Sequence, residues 1–145
     1  MLKLNEADFT IGRSKFLDRG PSEPELSAKI FVRIELLGLE TMAQLDTGAA
    51  FSMLERELAE KLGLLDGDGQ EMAIHTRLGQ IEGRLERVEL TLMADEGEAL
   101  RIDATLLVSR QWTGTTFLGY TGLLDHVRIA LDPPANHFYF GETEN

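Results

Sequence analysis

Alternating hydrophobic and polar positions dominate the chain from residue 30 onwards and predict β-strands. Every second residue is apolar over residues 30–36 and again over residues 100–108, as expected for strands with one face in a core. Residues 37–40 connect the first of these strands to its neighbour in a predicted hairpin. Shorter runs predict the other strands, which cover residues 41–45, 71–76, 81–92, 117–119, 127–131 and 137–140.

Within residues 81–92 the apolar positions change parity. Ile81 and Leu85 fall on one face of an extended chain, whereas Val88, Leu90 and Leu92 fall on the other. An extra residue in one strand shifts parity in this way, so we predict a β-bulge near residues 86–87.

Two short helices interrupt the predicted strands. Leu54, Leu58 and Leu62 share one helical face, and Ser52 has the capping-box spacing to Glu55. These features predict a helix over residues 53–62 that ends before Gly63. A second short helix is predicted over residues 122–126. Many short strands with few helices indicate a mostly-β barrel or sandwich.

The first 27 residues lack a clear period, and Gly20, Pro21 and Pro24 interrupt them. Glycine and proline mark loops, so we predict an N-terminal arm or loop over residues 1–27 and a folded domain over residues 28–145. The arm's role stays open between a trimmed segment, an interface strand and a cap over a cleft.

Composition narrows the function classes. The chain has 145 residues, 25 of them acidic and 14 basic, with a net charge of −11, which argues against binding to nucleic acid or to an anionic membrane. The absence of cysteine excludes disulfides and a cysteine nucleophile. No apolar run reaches seven residues. We therefore expect one soluble, cytoplasmic domain.

The tripeptide Asp46-Thr47-Gly48 is the sharpest chemical feature of the chain. It follows a predicted strand and precedes a predicted helix. As a plain turn, Asp46 would cap its own backbone and Gly48 would supply a positive φ.

The wider context resembles a known family. An apolar strand leads into Asp46-Thr47-Gly48-Ala49, a hairpin follows near residues 76–83, and Phe117-Leu118-Gly119 comes later. In this order the chain resembles the retropepsin-like aspartic proteases, particularly the small bacterial members, over residues 30–140. The resemblance implies a closed β-barrel with one lobe per chain and an aspartic endopeptidase that acts on peptides or unfolded proteins.

Aspartic protease chemistry needs two carboxylates, because one activates water while the other protonates the leaving group. The chain has a single Asp-Thr-Gly and is too short for two lobes. We therefore expect a homodimer with the catalytic Asp46 and its copy at the two-fold axis. This mechanism uses no metal or other cofactor.

The resemblance also implies roles for neighbouring residues. Thr47 would bond across the dimer, and Gly48 would let the backbone approach the carboxylate of Asp46 closely. Ala49 stands where many two-lobed relatives carry a hydroxyl residue, so the carboxylate of Asp46 would lack that hydrogen-bond donor. We therefore expect the pH optimum of activity to lie nearer to neutrality. Substrate would contact Ala50, a flap tip formed by Leu78, Gly79 and Gln80, and the strand formed by Phe117, Leu118 and Gly119. Ala50 departs from the retroviral members, which carry an aspartate there. Residues 137–140 could join an interface sheet.

Other interpretations are open from the sequence. The same fold could be a non-catalytic peptide- or protein-binding module, or a β scaffold with an accidental turn. Residues 66–69 lack the spacing of a calcium loop, and the three histidines lack zinc-ligand spacing. Ser52 is interpreted as a helix cap and not as a nucleophile. Trp112 lines a pocket or an interface, or is a core aromatic residue.

Overall fold

The computed structural model describes residues 1–20, 28–76 and 79–143. These residues form fourteen strands, one α-helix, α1 (Arg56–Lys61), and 3₁₀ turns at Leu124–His126 and Pro133–Ala135. The strands are β1 (Lys3–Leu4), β2 (Ala7–Asp8), β3 (Gly12–Lys15), β4 (Leu17–Arg19), β5 (Lys29–Leu36), β6 (Leu39–Leu45), β7 (Ser52–Met53), β8 (Gln70–Thr76), β9 (Gly79–Leu92), β10 (Glu96–Gly97), β11 (Leu100–Val108), β12 (Phe117–Leu118), β13 (Val127–Asp132) and β14 (His137–Glu142).

Six strands form a closed ring in the order β5, β6, β12, β7, β11 and β9, because β9 also pairs with β5. β12 runs parallel to β6 and β7 runs parallel to β11, whereas the other neighbours in the ring are antiparallel. The predicted mostly-β fold with a closed arrangement of strands is confirmed. The predicted hairpin at residues 37–40 is also present, with Leu37 and Gly38 both at positive φ.

The strands of this ring contribute much of the hydrophobic core, which also includes residues outside the ring, and their buried positions follow the alternation seen in the sequence. Val32, Ile34 and Leu36 of β5 are fully buried. The apolar residues of β11 between Leu100 and Leu106 are buried in the same way. Since alternate side chains of a strand point to opposite faces, these two strands place one apolar face each in the core.

β9 has no bulge, so that prediction is wrong. Its register to β8 and to β11 runs without an extra residue. The parity change arises because the two halves of β9 bury opposite faces. Ile81 packs beside Ile74 in the β8–β9 hairpin, which projects from the ring, whereas Val88, Leu90 and Leu92 point into the core.

α1 is shorter than the predicted helix, and the predicted capping box is absent. Ser52 lies in β7, and Glu55 at the N-cap makes no side-chain capping bond. The predicted end of the helix is confirmed, because Gly63 has φ +73° and its amide donates to the carbonyl of Glu60.

A second sheet has the order β10, β3, β14 and β13. It includes β3 from the N-terminal segment, and β4 from the same segment pairs with β5 of the ring. The hydrophobic pattern did not predict these N-terminal strands, because neither shows the alternation of large apolar residues that marks β5.

The C-terminal strand β14 lies inside this sheet. It pairs with β13 on one edge and with β3 on the other. Residues 137–140 therefore offer no free hydrogen-bonding edge of their own, and their part in an interface sheet stays a prediction.

None of the helices in the described ranges combines the length and the apolar character that crossing a bilayer requires.

Candidate active site

Asp46 immediately follows β6 and is held there by β12. Its backbone amide donates to the carbonyl of Leu118 at 3.0 Å, and the amide of Gln44 donates to the carbonyl of Thr116 at 3.0 Å. These two bonds are the parallel ladder between β6 and β12. The position of Asp46 is therefore set by a strand that lies more than 70 residues later in the chain.

The loop over residues 46–51 wraps around the end of β12. The chain leaves β6 on one side of β12 and returns as β7 on the other side, where Met53 pairs with Phe117. Beyond β12, the amide of Tyr120 donates to the carbonyl of Ala49 at 2.9 Å, and the amide of Thr121 donates to the carbonyl of Ala50 at 2.8 Å. The loop is thus bonded to the same segment at both ends.

Gly119 is required by this close packing. A Cβ at residue 119 would lie 2.3 Å from the carbonyl oxygen of Phe51 and 2.9 Å from the amide nitrogen of Ser52. The amide of Gly119 donates to the buried hydroxyl of Ser52 at 2.8 Å. No larger residue fits at position 119 without moving the loop that carries Asp46.

The carboxylate of Asp46 caps its own turn. It is half-buried, and its Oδ1 accepts a hydrogen bond from the amide of Gly48 at 3.2 Å. The amide of Ala49 donates to the carbonyl of Asp46 at 3.2 Å. The Asx-type turn considered from the sequence is therefore present, and it orients the carboxylate.

Gly48 is not at positive φ, unlike the expectation for a plain turn. Within the described residues, a Cβ at position 48 would meet only Oδ1 of Asp46, at the ordinary contact distance of 3.6 Å. Nothing in the described part of the chain therefore requires glycine at this position.

The other predicted residues of the two segments differ in exposure. Thr47, Gly48 and Ala50 are exposed, and Ala49 is half-buried. Phe117 is half-buried and lies edge-on to Trp112, with 5.9 Å between ring centroids. The side chain of Leu118 is 0% exposed in the core, so it anchors β12 and does not line the surface.

The predicted flap tip is only partly described. Gly79 and Gln80 are exposed at the end of the β8–β9 hairpin, and Leu78 lies outside the described residues. Among the described residues, no hydrogen bond or strand pair joins Gly79 or Gln80 to the loop over residues 46–51. The structure therefore brings together residues 46–50 and 117–119 but not the flap tip.

A cleft of about 440 Å³ lies at the base of this hairpin, bounded by Met72, Gly83 and Ser109 among others. The hydroxyl of Ser109 donates to the carbonyl of Glu82 at 2.5 Å, and the amide of Glu82 donates to Oε1 of Gln111 at 2.8 Å. The segment that begins at Ser109 thus connects the hairpin base to β12.

Sequence reasoning missed three supports of the Asp46 loop. Ser52 bonds the amide of Gly119, the hydroxyl of Thr116 accepts from the amide of Glu55 at 3.1 Å, and Tyr120 bonds Ala49. For Ser52 and Thr116, the only signal was a small hydroxyl residue beside an apolar strand, which also fits a helix cap or a turn.

In the described residues, no group of three His, Asp or Glu side chains is placed to hold a metal ion.

Comparison with protein families gives a match over most of the folded region. A sequence model described as Aspartyl protease matches residues 32–120, which is more than half of the chain. The matched span begins within β5 and includes the Asp46 loop, the β8–β9 hairpin and β12. Comparison with curated proteins returned no match.

Proposed function

The chain belongs to a retropepsin-like aspartyl protease family, and on this premise we propose that it is an endopeptidase whose active site contains Asp46 from each of two copies. The observation that carries the proposal is the placement of Asp46. β12 holds the backbone of Asp46, and the half-buried side chain accepts a hydrogen bond from the amide of Gly48, beside the exposed residues Thr47 and Gly48.

The second carboxylate must come from another copy. One ionised carboxylate can activate water, but departure of the amine also needs a proton donor in the same site. The chain contains one Asp-Thr-Gly motif. Two copies related by a two-fold axis would supply the same loop twice and place the two Asp46 side chains opposite each other.

The environment of Gly48 supports a close partner. Its backbone conformation is open to other residues, and a Cβ would be tolerated by the described part of the chain. A glycine without an internal reason is explained by the approach of another molecule's backbone. Its exposed position next to Asp46 makes a second copy of the loop the natural neighbour.

The proposed reaction divides two roles between the carboxylates. Two carboxyl groups about 3 Å apart share one proton, because both cannot ionise at that distance. The ionised Asp46 takes a proton from water, and the hydroxide oxygen attacks the peptide carbonyl carbon while the protonated Asp46 donates to the carbonyl oxygen. As the gem-diol collapses, the protonated carboxyl donates its proton to the nitrogen and the C–N bond breaks. The other carboxylate takes the proton of one gem-diol hydroxyl as the carbonyl forms again, which leaves the pair with one shared proton.

The β8–β9 hairpin is proposed to act as the flap. Met72, Ile74 and Ile81 are half-buried on one of its faces, opposite in parity to the core residues of β9. An apolar face that does not belong to the core can cover an extended peptide and exclude water from the carboxylates.

The test is cleavage of unfolded casein by wild-type protein and by Asp46→Asn. This substitution keeps the shape and a hydrogen-bond acceptor but removes the acid–base pair. Asp68→Asn, at an exposed acidic residue of the loop after α1, is the matched control. We expect Asp46→Asn to lose at least about 10³-fold in rate and Asp68→Asn to keep full activity. Equal activity of all three proteins would refute the proposal, and binding of casein without cleavage by the wild-type protein would favour a peptide-binding module.

A further inference from the structure

The β8–β9 hairpin leaves the ring of strands at Arg84. The ladder between β9 and β11 ends there with the pair Arg84–Val108, whereas β9 continues to Gly79 in its pairing with β8. A two-stranded hairpin is only marginally stable by itself. The contacts at its base therefore decide how firmly the hairpin is held against the rest of the chain.

Two side chains continue the ladder beyond the end of β11. Residues two apart in a strand direct their amides and carbonyls to the same neighbour, so Glu82 presents these groups on the β11 side, as Arg84 does. The amide of Glu82 donates to Oε1 of Gln111 at 2.8 Å, and its carbonyl accepts from the hydroxyl of Ser109 at 2.5 Å. The side chains of Gln111 and Ser109 thus take the place of a further strand residue.

A third hydrogen bond closes a cycle between these residues. The amide of Gln111 donates to Oγ of Ser109 at 3.1 Å, so the Ser109 hydroxyl accepts one bond and donates another. Ser109 is 2% exposed and directly follows β11, which fixes the cycle to the end of that strand. The hairpin cannot swing away from β11 at Glu82 without breaking the bonds to both side chains.

The segment that carries Gln111 also leads to the Asp46 site. The ring of Trp112, the next residue, packs against the backbone of Gly114, where a Cβ would lie 2.2 Å from Cζ2 of the indole. The same ring lies edge-on to Phe117 of β12, the strand that bonds the backbone of Asp46. A compact segment therefore connects the base of the hairpin to the strand that positions the candidate catalytic residue.

We propose that Gln111 is a positioning residue which, together with Ser109, holds the β8–β9 hairpin in the orientation that receives an extended peptide. The inference rests on the proposed function, in which this hairpin is the flap. A hairpin that is ordered before the peptide arrives loses less conformational entropy on binding. Gln111 therefore acts on the binding of the peptide, whereas the reaction of the bound peptide depends on Asp46.

Kinetics with fluorescein-labelled, unfolded casein separate this role from a merely structural one. Gln111→Ala removes the acceptor for the amide of Glu82, whereas Gln111→Glu keeps an oxygen acceptor on a side chain of the same length. Gln70→Ala, at an exposed glutamine of β8, is the matched control. We expect Gln111→Ala to raise KM about fivefold and to change kcat by less than about twofold, the effect of one lost hydrogen bond. Gln111→Glu and Gln70→Ala are expected to keep the wild-type KM.

Two kinetic results would overturn the positioning role. A lower kcat of Gln111→Ala at unchanged KM would mean that the substitution only reduces the amount of folded protein. A KM of Gln111→Glu as high as that of Gln111→Ala would mean that the acceptor oxygen is not what holds the hairpin.

Binding measured without cleavage separates this inference from the proposed function. Asp46→Asn and the double variant Asp46→Asn/Gln111→Ala are titrated into the labelled casein, and fluorescence anisotropy gives Kd. We expect about fivefold weaker binding by the double variant. Equal affinity of the two proteins would refute the role of Gln111, whether or not the wild type cleaves casein. Weaker binding by the double variant, with no cleavage by the wild type, would retain that role and refute the protease. Wild-type protein that neither binds nor cleaves casein would refute both.

Discussion

The backbone amide of Asp46 donates a hydrogen bond of 3.0 Å to the carbonyl oxygen of Leu118. This bond joins the candidate catalytic residue to β12, in which the side chain of Leu118 is fully buried in the core. Because Gly119, Tyr120 and Thr121 continue the contact with residues 49–52, the Asp46 loop has little freedom of its own. Its geometry depends on the packing of β12.

Gly119→Ala is expected to destabilise the fold and to abolish cleavage. The new Cβ would lie 2.3 Å from the carbonyl oxygen of Phe51, and forcing a methyl group into such a site costs about 1–3 kcal/mol. Urea unfolding should show a lower midpoint with an unchanged m-value. A variant as stable and as active as the wild type would mean that the loop does not pack against β12 in this way.

Gly48→Ala is expected to leave the stability of the single chain almost unchanged and to weaken dimerisation and cleavage. The described residues leave room for its methyl group, so the free energy of unfolding at low protein concentration should change by less than about 0.5 kcal/mol. The second copy of the loop would meet that methyl group, so dimerisation and cleavage should weaken together. Loss of stability in the monomer, or full activity, would contradict the role proposed for Gly48.

Ser52→Ala removes the acceptor for the buried amide of Gly119. An unpaired buried amide costs about 1–3 kcal/mol, and the measurement is again the urea midpoint. Thr121→Ala, at an exposed hydroxyl in the neighbouring segment, is the control and should change stability by less than about 0.5 kcal/mol. The same small effect at both positions would show that the Ser52 hydroxyl does not support the loop.

Ala49→Ser is expected to move the acid limb of the pH–rate profile to lower pH. The resemblance to the aspartic proteases implies that a hydroxyl at this position would donate to the carboxylate of Asp46, and a donor favours the ionised form. The ionised base would then persist at lower pH, where activity would be retained. An acid limb that stays in place or moves to higher pH would show that residue 49 does not tune the pair.

Elements with strong local patterns could be predicted from the sequence. β5 and β11 follow their alternation almost to the residue, and α1 ends before Gly63 as expected. That Asp46 directly follows a strand was also predictable, since the motif and its apolar neighbours lie together in the chain. The next element is the strand β7 and not the predicted helix, which begins only at Arg56.

Features that depend on distant partners could not be predicted in the same way. β3 is a strand because residues 12–15 pair with residues 137–140, and its own sequence carries no alternation of large apolar side chains. Ser52 matched a local capping pattern, but its hydroxyl bonds Gly119 instead. In β9, the buried face changes where the strand passes from the hairpin into the ring. This change gives the same shift in the parity of apolar residues that a bulge would give.

Subunit mixing tests most directly whether two copies share one active site. Wild-type and Asp46→Asn chains are unfolded together, refolded at defined ratios and assayed for casein cleavage per total protein. If each site needs Asp46 from both copies, only wild-type pairs are active, and an equal mixture should retain about a quarter of wild-type activity, because random pairing makes that fraction of the dimers. An equal mixture that retains half of the activity would mean that each chain acts alone, which contradicts the shared carboxylate pair.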